Sequence, residues 1–137
     1  MEIVWPAFAL VALTAFVTLR LARLRFAAVK AGRVDPRFYK VFRGEGEPES
    51  VAAVARNLNN LCEAPTLFYA GTAIAFAAGE AGLLLVALGW AYVSLRILHS
   101  IIHLGRNKVL WRFRAFALGW LVLIAYWATL GIRLAST

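Results

Sequence analysis

The chain has 137 residues, of which 62% are hydrophobic, and a mean hydropathy of +0.72. A soluble domain of this length is nearer about half apolar, so the composition excludes an ordinary soluble enzyme and indicates a membrane protein. The formal net charge of +8 does not point to nucleic acid, because most cations fall in two short segments between long apolar runs, as the positive-inside bias produces.

The first apolar run, Ile3 to Leu19, carries no charge, and with its flanks it approaches the about 20 residues that cross a bilayer. Nothing positive precedes it and no small-residue cleavage site follows it, so it reads as an uncleaved first span, 3–24, with its amino terminus outside. The segment 25–50, with the flanking Arg20 and Arg23, is basic and rich in breakers: Arg20, Arg23, Arg25, Lys30, Arg33, Arg37, Lys40 and Arg43 stand against Asp35, Glu45, Glu47 and Glu49. It reads as a cytoplasmic loop, and Gly44 to Ser50 sets the start of the next helix, with Ser50 as its cap.

A second span, 51–78, contains Arg56, Asn60 and Glu63 at positions i, i+4 and i+7, which share one helix face. Lipid does not tolerate such a face, since an ionisable side chain in a span costs about 2.5 to 3.5 kcal/mol to insert. Pro65, inside this helix, removes a backbone donor and crowds the carbonyl of Leu61, so a kink is expected beside the polar face. Cys62 is the sole cysteine, which excludes an intramolecular disulfide and a multi-cysteine metal site; it is expected to be a small buried apolar residue.

The turn Gly79-Glu80-Ala81-Gly82 leads into a third span, 83–104, where Tyr92, Arg96, His99 and His103 form a second polar stripe. The two histidines are the whole complement of the chain, so no metal is expected. A short basic cytoplasmic loop, 105–108, precedes a fourth span, 109–134, that opens with Arg112 and Arg114. Four spans place both termini outside and both basic loops in the cytoplasm. Arg56, Glu63, Arg96, His99, His103 and Arg112 then fall in the cytoplasmic halves of their helices and are expected to converge on one cavity.

Arginine forks grip carboxylates, a carboxylate receives an ammonium group, and an amide serves donors and acceptors together. That set suits a small zwitterionic anion, and a peptide-like thiol such as glutathione carries the matching groups. An arginine beside its sulfur would favour the thiolate over the thiol, whose free pKa is about 8.5. A lipophilic electrophile would reach the same cavity from the bilayer. The opposing reading is that Arg56 and Glu63 form an intramembrane ion pair that fixes helix register.

The segments Arg56-x-x-x-Asn60-x-x-Glu63-x-Pro65, Arg96-x-x-His99-Ser100-x-x-His103 and Asn107-x-Val109-x-x-Arg112-Phe113 resemble the MAPEG family (membrane-associated proteins in eicosanoid and glutathione metabolism), and most of all its bacterial branch. The resemblance implies an all-α integral membrane protein, a four-transmembrane-helix bundle assembled as a homotrimer in the bacterial inner membrane. It implies a glutathione-dependent transferase or peroxidase with glutathione as co-substrate. By position, Arg112 is the catalytic, thiolate-stabilising residue, and Arg56, Asn60, Glu63, Arg96, His99 and His103 hold the cofactor. Val51 to Ala55 lack the cations that glutathione-using members carry just before the second-helix motif. The family also includes a non-catalytic lipid-binding member, so a lipid- or partner-binding protein of the same fold is the alternative.

Overall fold

A computed structural model describes residues 1–42 and 46–136. Arg43, Gly44 and Glu45 of the first basic loop lie outside the described residues. After a 3-10 turn at Glu2–Val4, five α-helices follow: α1 Trp5–Lys30, the one-turn α2 Phe38–Val41, α3 Glu49–Ala77, α4 Leu83–Leu104 and α5 Val109–Ala135. No strand occurs among the described residues.

Local signals set the helix ends. Pro6 opens α1, where a missing N–H costs nothing. The helix continues beyond residue 24, where the span was expected to stop, to Lys30. It ends where Gly32 takes φ +67° and the N–H groups of Gly32 and Arg33 return to the carbonyls of Val29 and Ala28. Gly79 at φ +70° closes α3 in the same way, with Gly79 and Glu80 bonded to Phe76 and Ala75. These are Schellman closures, which need a residue free to adopt a left-handed backbone. Ser50 is not the cap of α3. The helix begins at Glu49 on the carbonyl of Pro48, which accepts from the N–H groups of Val51 and Ala52, and no side-chain cap is present. Proline's fixed φ ends the extended segment one residue early, leaving Ser50 inside the first turn.

The four long helices pack around an apolar core that includes Leu10 and Val17 of α1, Phe68 of α3, Leu85 and Val93 of α4, and Leu123 and Tyr126 of α5. The outer faces are apolar too: Phe8, Phe16, Leu84, Leu118, Leu121 and Ile124 are exposed. Large apolar side chains over an apolar core suit a hydrocarbon solvent. Three helices, Glu2–Lys30, Leu83–Leu104 and Val109–Ala135, are long and apolar enough to cross a membrane. α3 is 29 residues long, but its polar half dilutes the apolar run.

Two ion pairs fix which loops share an end. Arg25 Nε donates to Glu47 at 2.7 Å, joining the end of α1 to the approach to α3. Arg133 Nε donates to Glu80 at 2.5 Å, joining the α3–α4 turn to the end of α5. The basic loops therefore occupy one end of the bundle, and the 79–82 turn occupies the other.

Candidate functional site

Near the basic end, α3, α4 and α5 enclose a cavity of about 430 Å³. Its α3 wall is Arg56, Asn59, Asn60 and Glu63; its α4 wall is His99 and His103; its α5 wall is Val109, Arg112, Phe113 and Phe116. Each set repeats at helical spacing, so each helix presents one face. The volume lies within the about 300–1,000 Å³ typical of small-molecule sites.

Six of the seven candidate residues thus share one space. Arg112 is the most constrained of them. Its Nη1 donates to Asn107 Oδ1 at 2.7 Å and to His103 Nε2 at 3.4 Å, and its own carbonyl accepts from His99 Nδ1 at 3.2 Å. These contacts require the Nδ1–H form of neutral His99, and the same form of neutral His103, since Nε2 there accepts. His99 Nε2 and His103 Nδ1 are buried without a protein partner. Asn107 lies between the helices with φ +47°, a left-handed conformation that asparagine tolerates better than most side chains. That geometry turns its amide back onto Arg112.

Arg56 and Glu63 do not pair with each other. Arg56 Nη2 donates to Glu49 at 2.5 Å, about two turns earlier on the same face of α3, and both side chains are largely solvent-facing. Glu63 is exposed and makes no salt bridge among the described residues. Asn60 donates its amide to the carbonyl of Arg56 at 2.9 Å, leaving its oxygen toward the cavity side of α3. The cavity wall therefore carries two cations, Arg56 and Arg112, and one free carboxylate, Glu63.

Arg96 departs from the expected convergence. It is 1% exposed and lies in the α4–α5 seam rather than in the cavity wall. Its guanidinium carbon sits 5.1 Å from the Tyr92 ring centroid and 5.2 Å from that of Phe116, and Nη2 reaches the Phe116 carbonyl at 3.5 Å. Nε and Nη1 have no partner, and Gly119 supplies the room. Arg96 shares the stripe of His99 and His103 but stands a turn deeper, where Phe116 caps the cavity above it. Cys62, expected to be buried, is exposed on α3.

Asn59, Val109, Phe113 and Phe116 complete the wall; Val109 and Phe113 belong to the Asn107–Phe113 motif, but none of the four was named as a site residue from the sequence. The spacing of Val109, Arg112, Phe113 and Phe116 was the available signal, because it marks a single α5 face. Asn57 was also passed over. It is fully buried and accepts from Ser100 Oγ at 3.3 Å, tying α3 to α4 behind the cavity.

The arrangement offers an anion two guanidinium groups, offers a cation one carboxylate, and sets Phe113 and Phe116 beside them for an apolar group. A sequence profile of the MAPEG family matches residues 3–132, nearly the whole chain. No curated protein and no solved structure matches it.

Proposed function

Because the chain belongs to the MAPEG family, we propose that it is a membrane-embedded, glutathione-dependent transferase or peroxidase acting on lipophilic electrophiles. The observation that carries this reading is Arg112, held by Asn107 and His103 with its guanidinium on a cavity that also presents Arg56, Asn60 and Glu63. Glutathione would place a carboxylate at Arg56, its ammonium group at Glu63 and its sulfur at Arg112. A guanidinium beside the sulfur favours the thiolate, and each unit of thiol pKa depression corresponds to about 1.36 kcal/mol.

The thiolate then attacks the electrophilic centre of an acceptor lying against Phe113 and Phe116. In conjugation the sulfur–carbon bond forms as the leaving group departs or the acceptor takes up a proton. In peroxide reduction a sulfur–oxygen bond forms as the O–O bond breaks and the departing alkoxide takes a proton, and the thiol of a second glutathione then displaces water from the sulfenic acid to give the disulfide. His99 and His103 act as positioning residues, one on the Arg112 carbonyl and the other on its guanidinium.

In this reading α3 joins the three apolar helices as a fourth span, the basic end faces the cytoplasm of a bacterial inner membrane, and both termini lie outside. Three copies assemble, the membrane-facing apolar surface being shared between lipid and neighbouring subunits. The second reading, a non-catalytic lipid- or partner-binding protein, is favoured by the absence of a cation between Val51 and Ala55 and by the engagement of Arg56 with Glu49.

Calorimetry on detergent-purified protein tests the choice. Glutathione is expected to bind and to raise the thiolate absorbance, and Arg112→Gln is expected to remove the absorbance while most of the binding remains. Absence of binding at millimolar glutathione would overturn the enzymatic reading.

A further inference from the structure

A second concavity lies beside α3 at the basic end of α1, lined by none of the residues of the polar cavity. It measures about 550 Å³ and is walled by Leu21, Ala22 and Val29 of α1, by Tyr39 and Phe42 around α2, and by Leu58 of α3. The wall is almost wholly apolar. Its one charged member, Arg25, is already engaged: Nε bonds to Glu47, and the guanidinium carbon stands 5.2 Å from the Tyr39 centroid and 5.9 Å from that of Phe42. Phe42 adopts φ +50°, a left-handed conformation uncommon for an aromatic residue, and so turns the chain back at the end of α2. Its ring joins those of Phe38 and Tyr39 in edge contacts.

The residues next in sequence have the opposite character. Lys30, Arg37 and Lys40 each directly follow a residue of the wall, Val29, Pro36 and Tyr39. All three are exposed, and none forms an ion pair among the described residues. Asp35, the nearest acid in sequence, has its carboxylate on the backbone N–H of Arg37. An apolar slot whose wall residues are followed in sequence by exposed, unpaired cations therefore sits where the apolar face of α1 gives way to the basic loop, which is the depth of lipid headgroups.

We propose that this groove holds one acyl chain of an anionic phospholipid, with the phosphate among Lys30, Arg37 and Lys40. The site shares no lining residue with the polar cavity, although a further concavity along Arg25, Leu58, Arg56 and Asn59 lies between the two, and it does not depend on catalysis. It fastens α2 and the basic loop to the membrane surface through a lipid that the cations select by charge. Diffuse attraction of a basic loop to an anionic leaflet would also enrich such lipids, but it would not require the slot.

Native mass spectrometry of the whole protein, released from mild detergent with equal phosphatidylglycerol and phosphatidylcholine added, separates the two cases. Retained phosphatidylglycerol is expected to exceed phosphatidylcholine by at least about tenfold, and the combined substitution Lys30→Gln, Arg37→Gln and Lys40→Gln is expected to weaken it roughly a hundredfold. Ala22→Trp fills the slot without altering charge and is expected to abolish retention. Val29→Trp serves the same purpose should Ala22→Trp fail to purify as folded protein. Equal retention of the two lipids, or undiminished phosphatidylglycerol on a folded slot-filled variant, would overturn the proposal.

Discussion

Gly119→Ala is a sharp test of the packing that carries the site. A Cβ at this position would lie 2.6 Å from Arg96 Nη2, 3.3 Å from Nε and 3.4 Å from Cζ. A guanidinium in solvent would swing aside, but Arg96 is 1% exposed and lies between the rings of Tyr92 and Phe116. The overlap must be relieved by moving α5 away from α4 or by distorting the side chain, a class of change that costs about 1–3 kcal/mol. Against this, alanine is favoured over glycine in a helix by about 0.8–1 kcal/mol.

The expected net effect in the native background is therefore a loss of up to about 2 kcal/mol. In an Arg96→Leu background the overlapping atoms are gone, and the same substitution is expected to stabilise by about 1 kcal/mol through propensity alone. The sign of the effect reverses between backgrounds. Unfolding in mixed micelles, followed by tryptophan fluorescence across the four proteins, yields the coupling energy. Additivity within about 0.5 kcal/mol would refute the placement of Arg96 against Gly119.

Three further outcomes follow from the same contacts. Asn107→Gly tolerates the left-handed backbone but deletes the 2.7 Å bond to Arg112; hydrogen bonds to charged groups contribute about 1.5–3 kcal/mol. The freed guanidinium supports the thiolate less well, so the glutathione thiol pKa in the complex is expected to rise by up to about 1–2 units, read from thiolate absorbance against pH, and Asn107→Asp, which sets a negative charge against the guanidinium, is expected to raise it as well. Glu49→Gln releases Arg56 from a solvent-screened pair worth about 0–1 kcal/mol, so calorimetry is expected to show several-fold tighter glutathione binding with little change in melting temperature. Gly71→Ala would set a Cβ 2.9 Å from Tyr126 Cε1 and 3.2 Å from Trp127 Cε2, and its melting temperature is expected to fall by the equivalent of up to about 2 kcal/mol, the overlap with the fully enclosed Tyr126 ring being partly offset by alanine's helix propensity.

Much of the architecture is local and was therefore legible without coordinates. Apolar runs of spanning length, the turn at Gly79, and cations gathered mostly in two short segments follow from solvent and backbone chemistry that acts along the chain. The same holds for the faces Arg56-Asn60-Glu63 and His99-His103, since helical spacing alone decides which side chains share a side. Partner choice is not local. That Arg56 turns back to Glu49 rather than toward Glu63 depends on where the segment before α3 lies, and no periodicity encodes it.

Depth along a shared stripe was likewise invisible. Arg96 and His103 obey one spacing rule, yet one guanidinium is sealed against Gly119 and Phe116 while the histidine borders open space, because the crossing of α4 with α5 closes a turn above Arg96. Asn107 illustrates the reverse case: a loop residue whose role appears only once a positive φ brings its amide to Arg112. The sequence by itself determined which groups the membrane must hide and which helix faces carry them, since burial preference and helical pitch are properties of single segments. Only the packing of three helices decided which of those groups border a common space and which are closed off, because that is set by contacts between residues far apart in the chain.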